Sequence, residues 1–326
     1  MQRSAHAPPH QLLLIHQPSV SALPASSTAP GPAALTPPSA QRDQRRDELV
    51  CALRAVVPAH TLIWHDEGTT PYECDGLTAY RQRPLAVALP ETPEQVQAVL
   101  QGCHRLGVPV VARGSGTGLS GGALPHELGL TLSLTRLNRI LKLDPLACTA
   151  VVQCGVRNAA ISEAAAPHGL YYAPDPSSQV ACSIGGNVAE NAGGVHCLKY
   201  GLTVHNVLGV RGYTIEGEPF AFGGDTLDAP GLDLLALLVG SEGLLAVVTE
   251  VTVRLLPRPR LARCLMASFA DVRAAGDAVA AIIGAGLIPA GLEMMDQPMT
   301  AAVEDFVRAG YDTTAAAILL CESDGT

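Results

Sequence analysis

Apolar residues recur along this chain either at helical spacing or in unbroken runs, and the changes between the two divide it into elements. DELVCALRAVV, from Asp47 and preceded by charged residues from Asp43, spaces its apolar positions three and four apart, as a helix with one buried face requires. LAVALP, from Leu85, is a continuous apolar run suited to a buried strand. Thr92-Pro93-Glu94-Gln95 then reads as a helix start: Thr92 caps, Pro93 takes the first turn, and Gln95 completes a capping box. That helix runs to Arg105 or Leu106 and stops at Gly107, and VPVVAR follows as a strand. Strand, helix and strand together predict a βαβ unit.

Beyond it, TLSL, ILKLD, ACTAVVQCGV, the region 207–222 and LLAVVTEVTVRLLP read as strands, with helices at NAAISEAAAPHG and after Leu232. Pro257 and Pro259 mark a domain joint. DVRAAGDAVAAIIGAG and AAVEDFVRAG are helices, and AAAILLCES is a strand with no partner following it. The expected class is α+β with mixed sheets, the chain being cut inside its second domain. Residues 1–42, rich in Ala, Pro and Ser, predict a disordered extension.

The 326 residues, 48% of them hydrophobic, suffice for a large core. A net charge of -9 and an aromatic content of 4%, with Trp64 the sole tryptophan, argue against a nucleic-acid partner. No stretch reaches the roughly 20 apolar residues of a membrane span, and Gln11 to Ile15 is too short, and lacks the basic flank, for a signal peptide. The nine cysteines are irregularly spaced with no C-x-x-C, so they read as reduced small hydrophobes of a cytoplasmic protein, with no metal site.

Two glycine-rich stretches carry the chemistry. Arg113-Gly114-Ser115-Gly116-Thr117-Gly118-Leu119-Ser120-Gly121-Gly122 follows directly on a strand. Its glycines allow successive N–H groups to converge on phosphate oxygens, with hydroxyl donors from Ser115, Thr117 and Ser120. A P-loop would need a lysine, which is absent. A dinucleotide fingerprint matches at Gly116, Gly118 and Gly121 but requires a helix, and Pro125 interrupts the short segment before TLSL. The third reading is a pyrophosphate nest between two strands. Farther on, Ala173 to Ser178 and Cys182 to Gly194 form a second loop dense in Gly, Asn and Ser, suited to the polar edges of a planar ligand or simply to turns. Gly240-Ser241-Glu242-Gly243 is a third segment able to complete a pocket.

VARGSGTGLSGG, YAPDPSSQVACSIGGNVAENAGGVHCLKYG and GSEGLLAVVTEVTVRLLP, with PYECDGL and GLEMMD, resemble the FAD-binding oxidoreductases of the vanillyl-alcohol oxidase and p-cresol methylhydroxylase superfamily. Within it the resemblance is to glycolate oxidase catalytic subunits and D-lactate dehydrogenases. It implies an α+β fold: a two-subdomain FAD-binding fold of the vanillyl-alcohol oxidase type over 43–258, then the start of an α+β cap (substrate) domain over 259–326. It implies non-covalent FAD, with the pyrophosphate on Arg113, Gly114, Ser115, Gly116, Thr117 and Gly118, continuing to Ser120 and Gly121. Pro174, Ser183, Gly186, Asn187, Asn191 and Gly193 would contact flavin or ribityl, with Glu242 and Val248 near the isoalloxazine or adenine. Ala246 stands where relatives carry glycine.

The implied activity is oxidation of a 2-hydroxy acid, glycolate or D-lactate, to the 2-oxo acid. Electrons would pass to an iron–sulfur subunit or respiratory acceptor, beside a second FAD-binding subunit, in the cytoplasm or at the inner face of the membrane through these partners. Relatives continue into a histidine-rich, divalent-metal-binding region that holds the substrate, so catalytic residues stay unassigned here. The alternative is an accessory FAD-binding subunit without turnover of its own. Cys182, His196 and Cys197 read as packing or turn residues, not flavin attachment points.

Overall fold

The computed structural model of the protein describes residues 39–224 and 231–325. The extension expected over 1–42 therefore lies outside the described residues up to 38. Residues 39–42 belong to the first helix, and Arg42 donates to Pro84 O at 3.2 Å.

The first layer comprises α1 (Ser39–Leu53), β1 (Leu62–Ile63), α2 (Asp66–Thr69), β2 (Ala86–Ala88), α3 (Pro93–Leu106), β3 (Val110–Arg113) and β4 (Leu130–Ser133). At the start of α3 the Thr92 cap forms as the sequence predicts, while the expected capping box closes on Glu91 N and not on Thr92 N. Thr92 Oγ1 accepts from Gln95 N at 3.3 Å, and Gln95 Oε1 accepts from the N–H of Glu91, one residue ahead of the cap, at 2.8 Å. Gly107 closes the helix at φ 60, a left-handed value that costs glycine little. Leu49 and Leu53 of α1 meet Val96, Val99 and Leu100 of α3 in a fully buried core, each worth about 1.5–3 kcal/mol in removed apolar surface. The strands run β1-β2-β4-β3, with β2 and β3 both parallel to β4. Neighbouring parallel strands are usually joined through a helix. Between β3 and β4 residues 114–129 make the crossover without one, which removes the dinucleotide-fingerprint reading.

The second layer contains β5 (Ile140–Asp144), β6 (Thr149–Gln153), α4 (Asn158–Ala165), β7 (Leu170–Tyr171), α5 (Ile184–Glu190), α6 (Cys197–Tyr200), α7 (Thr203–Asn206), β8 (Val207–Tyr213), β9 (Pro219–Gly223), α8 (Leu234–Leu238), β10 (Val247–Arg254) and β11 (Leu256–Pro257). Its five-stranded antiparallel sheet runs β5-β6-β10-β8-β9. Val251 of β10 is opposite Val152 on one side and Val210 on the other, at the centre of a second core. The second glycine-rich stretch, expected as loop throughout, contains α5: a correction whose cause lies in packing, set out below.

The third layer is β12 (Leu261–Phe269), α9 (Val272–Gly284), β13 (Gly291–Asp296), α10 (Gln297–Val307) and β14 (Ala317–Gly325). Both helices are capped by aspartates, Asp271 and Asp296. β14, the strand read as having no partner following it, is central, in the order β12-β14-β13, antiparallel to both neighbours. The partners precede it in sequence, and β12, largely solvent-exposed, has no alternating apolar signature to announce it.

Candidate functional site

The first glycine loop leaves β3 carrying a backbone with little internal bonding. Among the described residues, none of the N–H groups from Gly114 to Gly122 donates to a carbonyl or side chain. Unused backbone donors are rare unless water or a ligand takes them. The loop is held from outside, by the PYECDGL segment. Arg113, almost buried, donates from Nη1 to Cys74 O at 2.8 Å and lies 5.7 Å from the centre of the Tyr72 ring. Burial lowers the pKa of Arg113 while nearby Asp75 raises it; the guanidinium stays charged. Asp75 accepts from Leu77 N at 2.9 Å and from Ala123 N, at the loop's exit, at 3.4 Å. A Cβ at Gly76 would stand 2.7 Å from Gly118 O, so the two segments lie backbone on backbone. Gly116, at φ +69, leaves room for the guanidinium of Arg113, which a Cβ there would meet at 2.2 Å.

The second stretch turns at Ser183, whose Oγ accepts from Gly186 N at 3.4 Å to cap α5. Gly185 must be bare for the helix to sit where it does: a Cβ would lie 2.7 Å from Cys154 Cβ, in the turn that follows β6. The helix thus packs on that turn and on β10, and its own N-terminal turn lies against the first loop, where a Cβ on Gly114 would meet Ser183 Oγ at 2.2 Å. Asn187 is buried and donates to Asn158 Oδ1 at 2.8 Å, and Asn158 in turn donates to Pro174 O at 2.9 Å. Asn191 ends α5 at φ 50 and accepts from Val204 N at 3.0 Å. The third segment docks on the same helix, with Gly240 N donating to Val188 O and Glu242 N to Ala189 O, both at 2.8 Å.

These three segments enclose an open cleft of about 280 Å³, with a smaller hollow of about 50 Å³ adjoining it. Gly114, Ser115, Gly116, Thr117, Gly118, Ser183, Gly186, Asn187 and Glu242 line the cleft, and Arg113 and Val248 line the hollow. Ser120, Gly121, Pro174, Asn191 and Gly193 lie outside both linings. Ser120 Oγ donates to Glu190 Oε2 at 3.0 Å, and Gly193 faces Leu202 and Cys197. Sequence reasoning missed Asp75, Glu190, Cys182, Pro176 and Ser178, all on the cleft wall. Asp75 was reachable through PYECDGL, and Glu190 through its place between Asn187 and Asn191. His196 and Cys197 do not line the cleft.

The lining suits an FAD-like dinucleotide on its own terms. Free amides and a buried guanidinium suit a pyrophosphate, and the carboxylates of Glu190 and Glu242 can accept from sugar hydroxyls. The hollow, walled by Leu134, Val188, Leu238, Val247 and Val248, suits a flat apolar ring. Burial pushes the Cys154 thiol at its floor up to about 12, so it stays a neutral packing group. Among the described residues no group of three or more His, Cys, Asp or Glu side chains is set to hold a metal ion. Nor, among them, is any helix long and apolar enough to cross a membrane.

Residues 84–223 match the family model described as FAD binding domain, and residues 258–326 the model described as FAD linked oxidases, C-terminal domain. The glycolate oxidase subunit GlcD of Escherichia coli (strain K12) is 62% identical over 283 residues, covering 87% of this chain and 57% of that protein. The D-lactate dehydrogenase of Archaeoglobus fulgidus is 38% identical over 214 residues, covering 65% of this chain and 48% of that protein. Crystalline p-cresol methylhydroxylase with substrate bound shares the fold, with a TM-score of 0.74 at 19% identity over 87% of this chain and 61% of that one. The chain spans about half the length of these relatives.

Proposed function

We propose, for a chain that belongs to the FAD-linked oxidases and carries their FAD-binding domain, that it serves in oxidising a small 2-hydroxy acid, glycolate or D-lactate, to the 2-oxo acid. The observation that carries this reading is the run of N–H groups from Gly114 to Gly122, unpartnered among the described residues, beside the cleft. In this reading residues 43–258 form the FAD-binding domain and 259–326 begin the cap. Arg113 and the loop amides hold the pyrophosphate, Ser183, Gly186 and Asn187 border the ribityl and flavin, and Glu190 and Glu242 take sugar hydroxyls. The hollow beside Val248 takes a ring of the cofactor and keeps water from it. When bound, FAD supplies a two-electron acceptor for oxidation of an alcohol carbon to a carbonyl. The protein's part is to orient it, without covalent attachment. The E. coli relative is named as a subunit; by analogy this chain works beside a second FAD-binding subunit and an iron–sulfur subunit or respiratory acceptor, in the cytoplasm or against the inner membrane face.

One observation favours a second reading, a chain that holds FAD without turning over alone. No histidine or lysine lines the cleft or hollow among the described residues, so a proton from an alcohol would have to go to a carboxylate such as Glu190 or Glu242, which the first reading already commits to sugar hydroxyls. The experiment is equilibrium titration of the purified 326-residue chain with FAD and with NAD, followed by dye reduction with glycolate and D-lactate. FAD should bind and be released intact by acid, while turnover stays very slow. Binding of NAD but not FAD overturns both readings; turnover of several per second overturns the second.

A further inference from the structure

We propose that His196 is a proton-dependent clasp that ties the C-terminal three-stranded sheet to the wall of the cofactor cleft. Its ring stands between carboxylates from two distant parts of the chain. Nδ1 lies 2.6 Å from Asp175 Oδ2, and Nε2 lies 3.4 Å from Glu322 Oε1. Asp175 adjoins Pro176, which lines the cleft, and Glu322 sits on β14, the middle strand of the sheet. The backbone N–H of His196 also donates to Asp175, at 3.2 Å, so the ring is fixed on the Asp175 side. A neutral imidazole has one N–H. If that proton is on Nδ1 for Asp175, the lone pair of Nε2 faces the Glu322 carboxylate and repels it. The imidazolium donates to both.

The other groups around the ring do not supply an alternative. Asp324, two residues along β14, is already held by Lys199 Nζ and Tyr200 OH from α6. Tyr171 of β7 packs edge-on against Tyr200, with ring centroids 6.1 Å apart. Three carboxylates, Asp175, Glu322 and Asp324, thus face His196 with one ammonium, Lys199, which favours the charged ring. Burial pulls the His196 pKa down, but its bonds to Asp175 and Glu322 outweigh that and leave it above the ordinary histidine value. The sign follows. The clasp contributes fully well below about pH 6.5, where a free histidine is protonated too, and is lost as pH rises through the elevated value. The Lys199–Asp324 and Tyr200–Asp324 contacts persist across that range, so the sheet loosens at the Glu322 position and stays tethered beside it.

The test is amide hydrogen exchange of the full chain between pH 5.5 and 9, expressed as protection factors so that the intrinsic pH dependence is removed. Peptides covering 194–201 and 288–296 should lose about tenfold in protection as pH rises, while a peptide covering β10 stays level. Glu322→Gln removes the second carboxylate and should flatten the profile. His196→Gln should hold the alkaline level throughout. Level wild-type protection at 194–201, or a wild-type slope retained in Glu322→Gln, overturns the proposal. Should His196→Gln fail to fold, the near-isosteric variant Glu322→Gln decides alone.

Discussion

The two glycine-rich stretches have opposite fates. In the first, glycine leaves the backbone free: Gly116 and Gly121 take positive φ, and the N–H groups bond to nothing among the described residues. In the second, glycine lets the backbone come close: Gly185 presses on Cys154 and the chain closes into a helix whose N–H groups are used. A Gly/Ser-rich segment is therefore not one kind of object. Whether it forms a ligand nest or a packing joint depends on what lies beneath it. Under the first loop are a guanidinium and the 72–77 segment; under the second lies a strand.

Substitutions should separate these roles. The largest effect belongs to Gly116→Val, which puts a β-branched residue at φ +69 and against the Arg113 guanidinium. FAD affinity, read by flavin titration, should fall by about a hundredfold or more; unchanged affinity would reduce the loop to a turn. Gly185→Ala should act through stability instead, lowering it by about 1–3 kcal/mol because Cys154 has to move. Its signature is a lower Tm with FAD affinity less affected than in Gly116→Val. Gly118→Ala sharpens the contrast, since its Cβ meets only the Glu190 carboxylate, at 3.6 Å. Stability without FAD should stay within about 0.5 kcal/mol, while affinity drops about tenfold if the ligand lies on that backbone. Equal losses in both quantities would count against the nest. Thr92→Ala, remote from both loops, should cost about 1 kcal/mol of stability through its helix cap and leave flavin binding untouched, as paired melting and titration will show.

Where local chemistry decides, the sequence was readable. Thr92, Pro93 and Gly107 bound α3 without reference to anything distant, and the absence of a helix after Gly122 followed from Pro125. Where tertiary contact decides, it was not. Gly185 and Gly186 are poor helix formers, and the close approach of Gly185 to Cys154, in the turn after β6, accounts for a bare residue inside the helix. Asn187 and Asn191 looked like ligand-reading amides, yet their side chains bond to Asn158 and to Val204 N. Asp75 and Glu190 escaped notice because acidic residues are not sought around a phosphate. Their place became visible only once the loop's exit and the Ser120 hydroxyl were seen to bond to them.

The central position of β14 has a consequence for the birth of the chain. β12 and β13 share no ladder with each other, and both are made before the strand that joins them. During synthesis from the N-terminus, Leu261 to Phe269 and Gly291 to Asp296 emerge as two strands with four open edges. Neither can be paired within its sheet until residues 317–325 leave the ribosome. The sheet then closes in one long-range event, register set at once from Leu261 opposite Gly325 to Phe269 opposite Ala317. Arrested chains that expose residues only up to 316 should therefore be captured by holdase chaperones more strongly than chains that also expose 317–325.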